Sequence, residues 1–266
     1  MARERGEEKW AALCISKALD VEVEVHDDGS APGMHDLDIL YADRAPAAVE
    51  VTAAADPQLI ELWKLVNEGG RWVVPEIAGG WMVVLDPAAR AGLLRAGLPK
   101  LLRSLEEGIR EVRAEEWWHP GPRDEEARAL GILHVFQGGT DFPGSVYLTV
   151  DPGSERSGGA VPTTGWPLLE WLSAWLTRPD QAHNLAKLAA SGAEERHLFL
   201  ILPAFAEAPF AVADLLMRQD APLPDADPDL PPEITHAWVA STWTDGAGMR
   251  WAPDSGWQRF AKMTRG

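Results

Sequence analysis

The sequence predicts a mixed α/β fold, and three observations carry the prediction. Apolar residues recur at helical spacing in some segments, they alternate at strand spacing in others, and the two kinds of segment follow one another along the chain. A hydrophobic fraction of 46% over 266 residues suffices for one large core or two smaller ones. Trp10, Leu13, Cys14 and Ala18 predict a first helix over 7–19. Val21, Val23 and Val25 alternate with acidic residues and predict a short, half-exposed strand, followed by a loop of turn residues at 28–33. Strands at 36–42 and 47–52 then form a hairpin. Asp56-Pro57 begins a helix with Leu59, Leu62, Trp63 and Val66 as its apolar stripe. Trp81 to Leu85 is the continuous apolar run expected of a buried central strand, and a helical region interrupted near Pro99 runs on to about Arg113.

The charged, Pro- and Gly-containing stretch 114–128 is the expected linker. It divides an α/β domain over 1–113 from a second mixed α/β domain, or a continuation of the same fold, over 129–266. In that second half the pattern predicts strands at 131–136 and 145–150, helices at 168–177 and 180–190, and a buried strand over 197–202. A short helix at 209–217, strands at 236–242 and 248–252 and a final helix from Trp257 complete the expectation.

Composition removes several function classes. A net charge of −17 opposes broad attraction to nucleic acid, so any such contact is local, and Arg103, Arg110 and Arg113 near one face of the long helix supply the candidate surface. The single cysteine, Cys14, lies in an apolar helical pattern, which excludes an internal disulfide and argues against thiol chemistry. The charged start of the chain does not read as a signal peptide, and no apolar run is long enough for a membrane span, so a cytoplasmic protein without membrane association is expected. Its usage of Arg, Ala, Pro, Gly and Trp resembles that of a high-GC bacterial genome. No phosphate-cradling glycine motif and no nucleophile elbow is present.

The strongest chemical signal is the hairpin. Asp36 and Asp38 share one face of its first strand, Glu50 and Thr52 share a face of its second, and Leu37, Ile39, Val49 and Val51 lie behind them. Carboxylates on paired strands, with Cβ atoms roughly 5 Å apart, repel each other unless a cation sits between them. Mg²⁺ (or Mn²⁺) is the natural occupant, and a solvated acidic face is the plainer alternative. His26, Asp27 and Asp28 with His35 offer either a mixed His/Asp transition-metal site or an aspartate-shaped turn. Asn184 and Lys187 share a helical face and either line a pocket toward the hairpin, returning a lysine to it, or form an ordinary helix surface.

The first helix, the hairpin with an acidic residue on each strand, the next helix and the buried strand resemble the PD-(D/E)xK nuclease superfamily, the restriction-endonuclease-like fold, over about residues 5–110. His35-Asp36 takes the place of Pro-Asp, Glu50-Val51-Thr52 that of (D/E)-x-K, and Glu7 or Glu8 that of an acidic residue on the first helix. The resemblance implies a metal on Asp36 and Glu50 with Asp38 as accessory ligand, Thr52 positioning water, and metal-dependent hydrolysis of nucleic-acid phosphodiesters. Thr52 in place of the motif lysine removes a cation, and Lys64, on a polar stripe with Gln58 and Glu61, is the expected substitute unless it simply pairs with Glu61. Without a basic residue at the site, the same fold is a non-catalytic module for protein interaction or ligand binding, with Trp117, Trp118, Trp243 and Trp251 as candidate contact surface. DNA against RNA, endo- against exonuclease action and oligomeric state stay open at this point.

Overall fold

A computed structural model describes residues 6–55, 60–62, 65, 72–112, 122–138, 141–151, 161–203, 208–242 and 248–263, with backbone alone at 109–112 and 122–124. The fold is mixed α/β and its chain forms two compact units, one of Met1–Ala54 with Gly158–Gly266 and one of Ala55–Ser157. This division differs from the expected one at 114–128, because strands far apart in sequence pair with each other. Within the expected linker, residues 122–128 belong to a helix.

The first unit contains α1 (Gly6–Leu19), β1 (Glu22–Val25), β2 (Leu37–Leu40) and β3 (Ala47–Ala53), then α4 (Trp166–Leu176), α5 (Ala182–Ala190), β8 (Arg196–Leu202), α6 (Phe210–Met217), β9 (His236–Ser241), β10 (Gly248–Ala252) and β11 (Gly256–Phe260). Its sheet has the order β1-β2-β3-β8-β9-β10-β11. β1, β2 and β3 are antiparallel, β3, β8 and β9 run parallel, and β10 and β11 return antiparallel. Parallel neighbours need a crossover, and α4 and α5 lie between β3 and β8 in sequence.

The period of two in the strands sorts side chains onto two faces. On one, Trp10, Ala11, Cys14 and Ile15 of α1 pack on Leu37, Ile39, Val49, Phe199 and Trp238. Ile15, Leu37 and Ile39 are fully buried, each contributing roughly 1.5–3 kcal/mol through removal of apolar surface from water. Burial also pushes the Cys14 thiol above its ordinary range. On the other face Ala48, Leu198, Leu200 and Val239 meet Leu168, Leu172 and Trp175 of α4, Leu188 of α5 and Leu215 of α6.

The expected final helix from Trp257 is instead strand β11. Gly256, at φ +62°, closes the turn that pairs Ala252 with Gly256 and Trp251 with Trp257. Trp257 and Phe260 are buried on that strand.

The second unit contains β4 (Trp72–Val73), β5 (Trp81–Leu85), α2 (Ala91–Val112), α3 (Pro122–Ala129), β6 (Ile132–Gln137) and β7 (Ser145–Val150). Its sheet order is β4-β7-β5-β6, with β5 parallel to β7. The α2 helix continues through Pro99, where an interruption was expected. Leu94, Leu98, Leu101 and Leu102 form a fully buried stripe along it, and that burial offsets the hydrogen bond a proline removes. Strand β5 is central, yet only Trp81, Val83 and Leu85 are buried. Met82 on its other face is exposed, level with exposed Phe136 and Tyr147 on the neighbouring strands. Among the described residues no helix is long and apolar enough to cross a membrane.

Candidate metal centre

Asp36 immediately precedes β2 and Glu50 lies in the middle of β3. Leu37 pairs with Val49 in the antiparallel register, and these two apolar side chains face α1, which turns Asp36 and Glu50 toward α5. Both carboxylates are almost fully buried, Asp36 at 1% and Glu50 at 2% exposure, so each requires a partner. Asp36 Oδ2 accepts the Val51 amide at 2.7 Å. Lys187 of α5 donates from Nζ to Glu50 Oε1 at 2.8 Å and to Asp36 Oδ1 at 3.4 Å. Three residues earlier on the same helix, Asn184 donates to Thr52 Oγ1 at 3.3 Å and to Gln181 Oε1 at 3.1 Å. The hairpin and α5 thus meet through five polar side chains, three from the hairpin and two from α5, more than a hundred positions apart in sequence.

The electrostatics follow from these contacts. Burial would lower the Lys187 pKa, but the hydrogen bonds and charges of Glu50 and Asp36 raise it above the ordinary lysine range. Lys187 is therefore a fixed cation and not a proton acceptor at neutral pH. The one ammonium faces a carboxyl group on either side in a buried place, where Coulomb attraction is stronger than in water. Because both carboxylates reach a single ammonium, they converge on one point, which is the geometry a hard divalent cation requires of an oxygen donor pair.

The remaining sequence candidates fall elsewhere. Asp38, expected as an accessory ligand, has both oxygens engaged by histidines: His26 Nδ1 and His35 Nε2 each lie 2.7 Å from one of them. Asp27 and Asp28 shape the turn, accepting the amides of Gly29 and Ser30. Glu7 is exposed, while Glu8 is buried on α1. Lys64, Arg113, Trp117, Trp118 and Trp243 lie outside the described residues, as does the Arg110 side chain. Arg103 is exposed on α2, and Trp251 donates to Asp227. Among the described residues the lysine that meets the hairpin is Lys187, and its one sequence signal was the shared helical face with Asn184.

A second group of possible ligands, Glu195, His197 and His236, lies on the α1 face. Trp238 Nε1 donates to His197 Nδ1 at 3.0 Å, so the proton of the neutral ring sits on Nε2, which faces Glu195 Oε2 at 3.5 Å. A ring whose Nδ1 already accepts cannot also offer a lone pair at Nε2 without becoming an anion, and this group is therefore built for packing. Burial pushes the His197 pKa down, and burial with the neighbouring His197 brings His236 to about 4. The facing His197 ring does most to hold the Glu195 carboxyl down at about 2, against its partial burial and with help from the Tyr41 hydroxyl. Tyr41, half-buried and donating to Glu195 at 2.9 Å, is raised to about 12 by that desolvation and by the carboxylate. Compared with protein-family models, curated proteins and solved structures, the chain matches none.

Proposed function

We propose that this protein is a divergent metal-dependent nuclease of the PD-(D/E)xK type, in which the lysine absent at Thr52 is supplied from α5 by Lys187. One observation carries the reading: Lys187 Nζ is bonded to both carboxylates of the hairpin. The sheet adds support, since an antiparallel β1-β2-β3 unit has a parallel partner strand, β8, reached in sequence after the second unit and helices α4 and α5.

In this reading Asp36 and Glu50 would hold Mg²⁺ (or Mn²⁺), which when bound would supply Lewis-acid chemistry, lowering the pKa of a water and offsetting negative charge on phosphate. Lys187 keeps its proton on Nζ and donates to an oxygen of the attacked phosphate or of the water, an electrostatic role and not that of a base. The Thr52 hydroxyl, fixed by Asn184, accepts or donates to the water and sets its direction. The exposed Arg103 is the described part of the candidate nucleic-acid face.

A second reading is favoured by the completeness of the ion pair. Lys187 already offsets the buried carboxylates, so the same trio can serve as a structural tie in a non-catalytic interaction or ligand-binding module. Cleavage assays separate the two. Wild type, Glu50→Ala and Lys187→Met are incubated with single- and double-stranded DNA and RNA in Mg²⁺ or Mn²⁺. The nuclease reading expects at least about a hundredfold loss of rate in both variants. Equal cleavage by all three proteins, or none by wild type on any substrate, overturns it.

A further inference from the structure

We propose that His26, His35 and Asp38 form a separate site for a transition-metal cation such as Zn²⁺, distinct in chemistry from the all-carboxylate Asp36–Glu50 pair. The inference starts from convergence. His26 Nδ1 and His35 Nε2 approach the two oxygens of one carboxylate at 2.7 Å each, and one ligand atom from each of the three residues lies within 4.8 Å of the others. Zinc bonds of about 2.0–2.2 Å in tetrahedral geometry place ligand atoms about 3.3–3.6 Å apart. Each histidine nitrogen therefore needs to part from its carboxylate oxygen by less than about 1 Å, while the two nitrogens come to the same spacing from within 4.8 Å of each other.

The backbone holds the three residues in place. The His26 and Asp27 amides both donate to the Asp36 carbonyl, at 2.9 and 3.3 Å, which ties together the two ends of the intervening loop. The two rings stack with centroids 3.8 Å apart and planes 13° from parallel, so one ring turns out of the stack for both in-plane lone pairs to meet a single ion. Asp27 and Asp28 are occupied within the turn, so they do not compete for the ion. His35 is nearly buried at 8% side-chain exposure, while His26 at 35% and Asp38 at 28% are open to water, which can complete the coordination shell.

Ligand chemistry selects the ion. Two imidazoles and one carboxylate suit Zn²⁺ and related first-row ions, whereas Mg²⁺ prefers oxygen donors and keeps its waters. A neutral imidazole offers the facing lone pair by carrying its proton on the other ring nitrogen, so on the proton side ligation requires only a change of tautomer.

The test is a Co²⁺ titration of the full chain followed by visible absorption, with Zn²⁺ as competitor. It is made in the Glu50→Gln background so that the carboxylate pair does not contribute. The expected result is one bound Co²⁺ with intense tetrahedral bands, displaced by Zn²⁺ and not by millimolar Mg²⁺. Adding His26→Gln or His35→Gln weakens binding at least about tenfold, with circular dichroism confirming that the fold is kept. Zn²⁺ raises the Tm of the Glu50→Gln protein and not that of the double variants. Absence of Co²⁺ binding, or binding unchanged by both histidine substitutions, overturns the proposal. Neither result depends on whether the protein cleaves nucleic acid.

Discussion

On the α5 face of the seven-stranded sheet Lys187 is held as a cation by its contacts with Asp36 and Glu50, whereas on the α1 face burial drives His197 and His236 toward neutrality. The strands are shared and the depth is similar, so the difference lies in the partners. A lysine between two carboxylates supplies opposite charge on both sides. His197 has an indole N–H and a stacked imidazole, 4.2 Å between ring centroids, with Glu195 only at its edge. A face that retains charge keeps its polar groups bonded in place. A face that sheds charge gains packing and becomes sensitive to acid.

Removing the cation breaks the comparison most strongly. Lys187→Met leaves two buried carboxylates facing each other and is expected to cost about 3–5 kcal/mol in denaturant unfolding. If the carboxylates hold a divalent ion, Mg²⁺ restores part of that loss and stabilises the variant more than wild type. An unaffected midpoint in Lys187→Met means that the pairing does not hold the charges in place.

The next effect is on pH. Between about pH 4 and 6.5 the unfolded chain takes up a proton that folded His236 does not. The unfolded state then binds more protons, so stability rises with pH through this window and falls on acidification. The slope is at most about 1.4 kcal/mol per pH unit, reduced by solvent screening because the ring is only half-buried. Thermal melts across pH 4–7 measure it. His236→Asn flattens the slope without abolishing it, since burial also lowers the His197 pKa. Glu195 acts in the same direction at lower pH: its depressed carboxyl gives stability that is lost as pH falls from 4.5 through about 2.

Asn184→Ala sharpens the comparison on the α5 side. Losing the bonds to Thr52 and Gln181 should cost about 0.5–1.5 kcal/mol. In the nuclease reading it lowers cleavage by more than the folded fraction falls, and a rate that merely tracks stability removes Thr52 from the mechanism. Smallest is Arg44→Ala. This half-exposed guanidinium pairs with Glu195 and lies over the Tyr41 ring, and its loss should shift the unfolding midpoint by no more than about 1 kcal/mol.

The hairpin was legible because its alternation is local: Leu37 and Ile39 against Asp36 and Asp38 specify both strand and face without reference to the rest of the chain. Helices α4 and α5 and strand β8 were legible for the same reason. Partner choice was not. Nothing within Trp81 to Leu85 says that this strand joins β6 and β7, or that β3 waits for β8, because pairing depends on topology and not on period. That is why the helix next in sequence, with Lys64, looked like the source of the missing cation; Lys64 lies outside the described residues, and among those described the lysine bonded to the hairpin is Lys187 of α5. The strand β11 was misread because a buried Trp257 and Phe260 fit a helical stripe as well as one turn of alternation. The His26–His35 stack, made by closing a loop, had only the proximity of its residues to announce it.

The separation of Glu50 from Lys187 by 137 positions has a consequence during synthesis. At roughly 5–20 residues per second, the lysine leaves the ribosome roughly 7–27 s after the glutamate. Contacts this remote in sequence also carry a large closure entropy and form slowly. The hairpin segment is therefore out of the ribosome for many seconds before the cation that its two acids pair with, and the residues 55–157 are made in that interval.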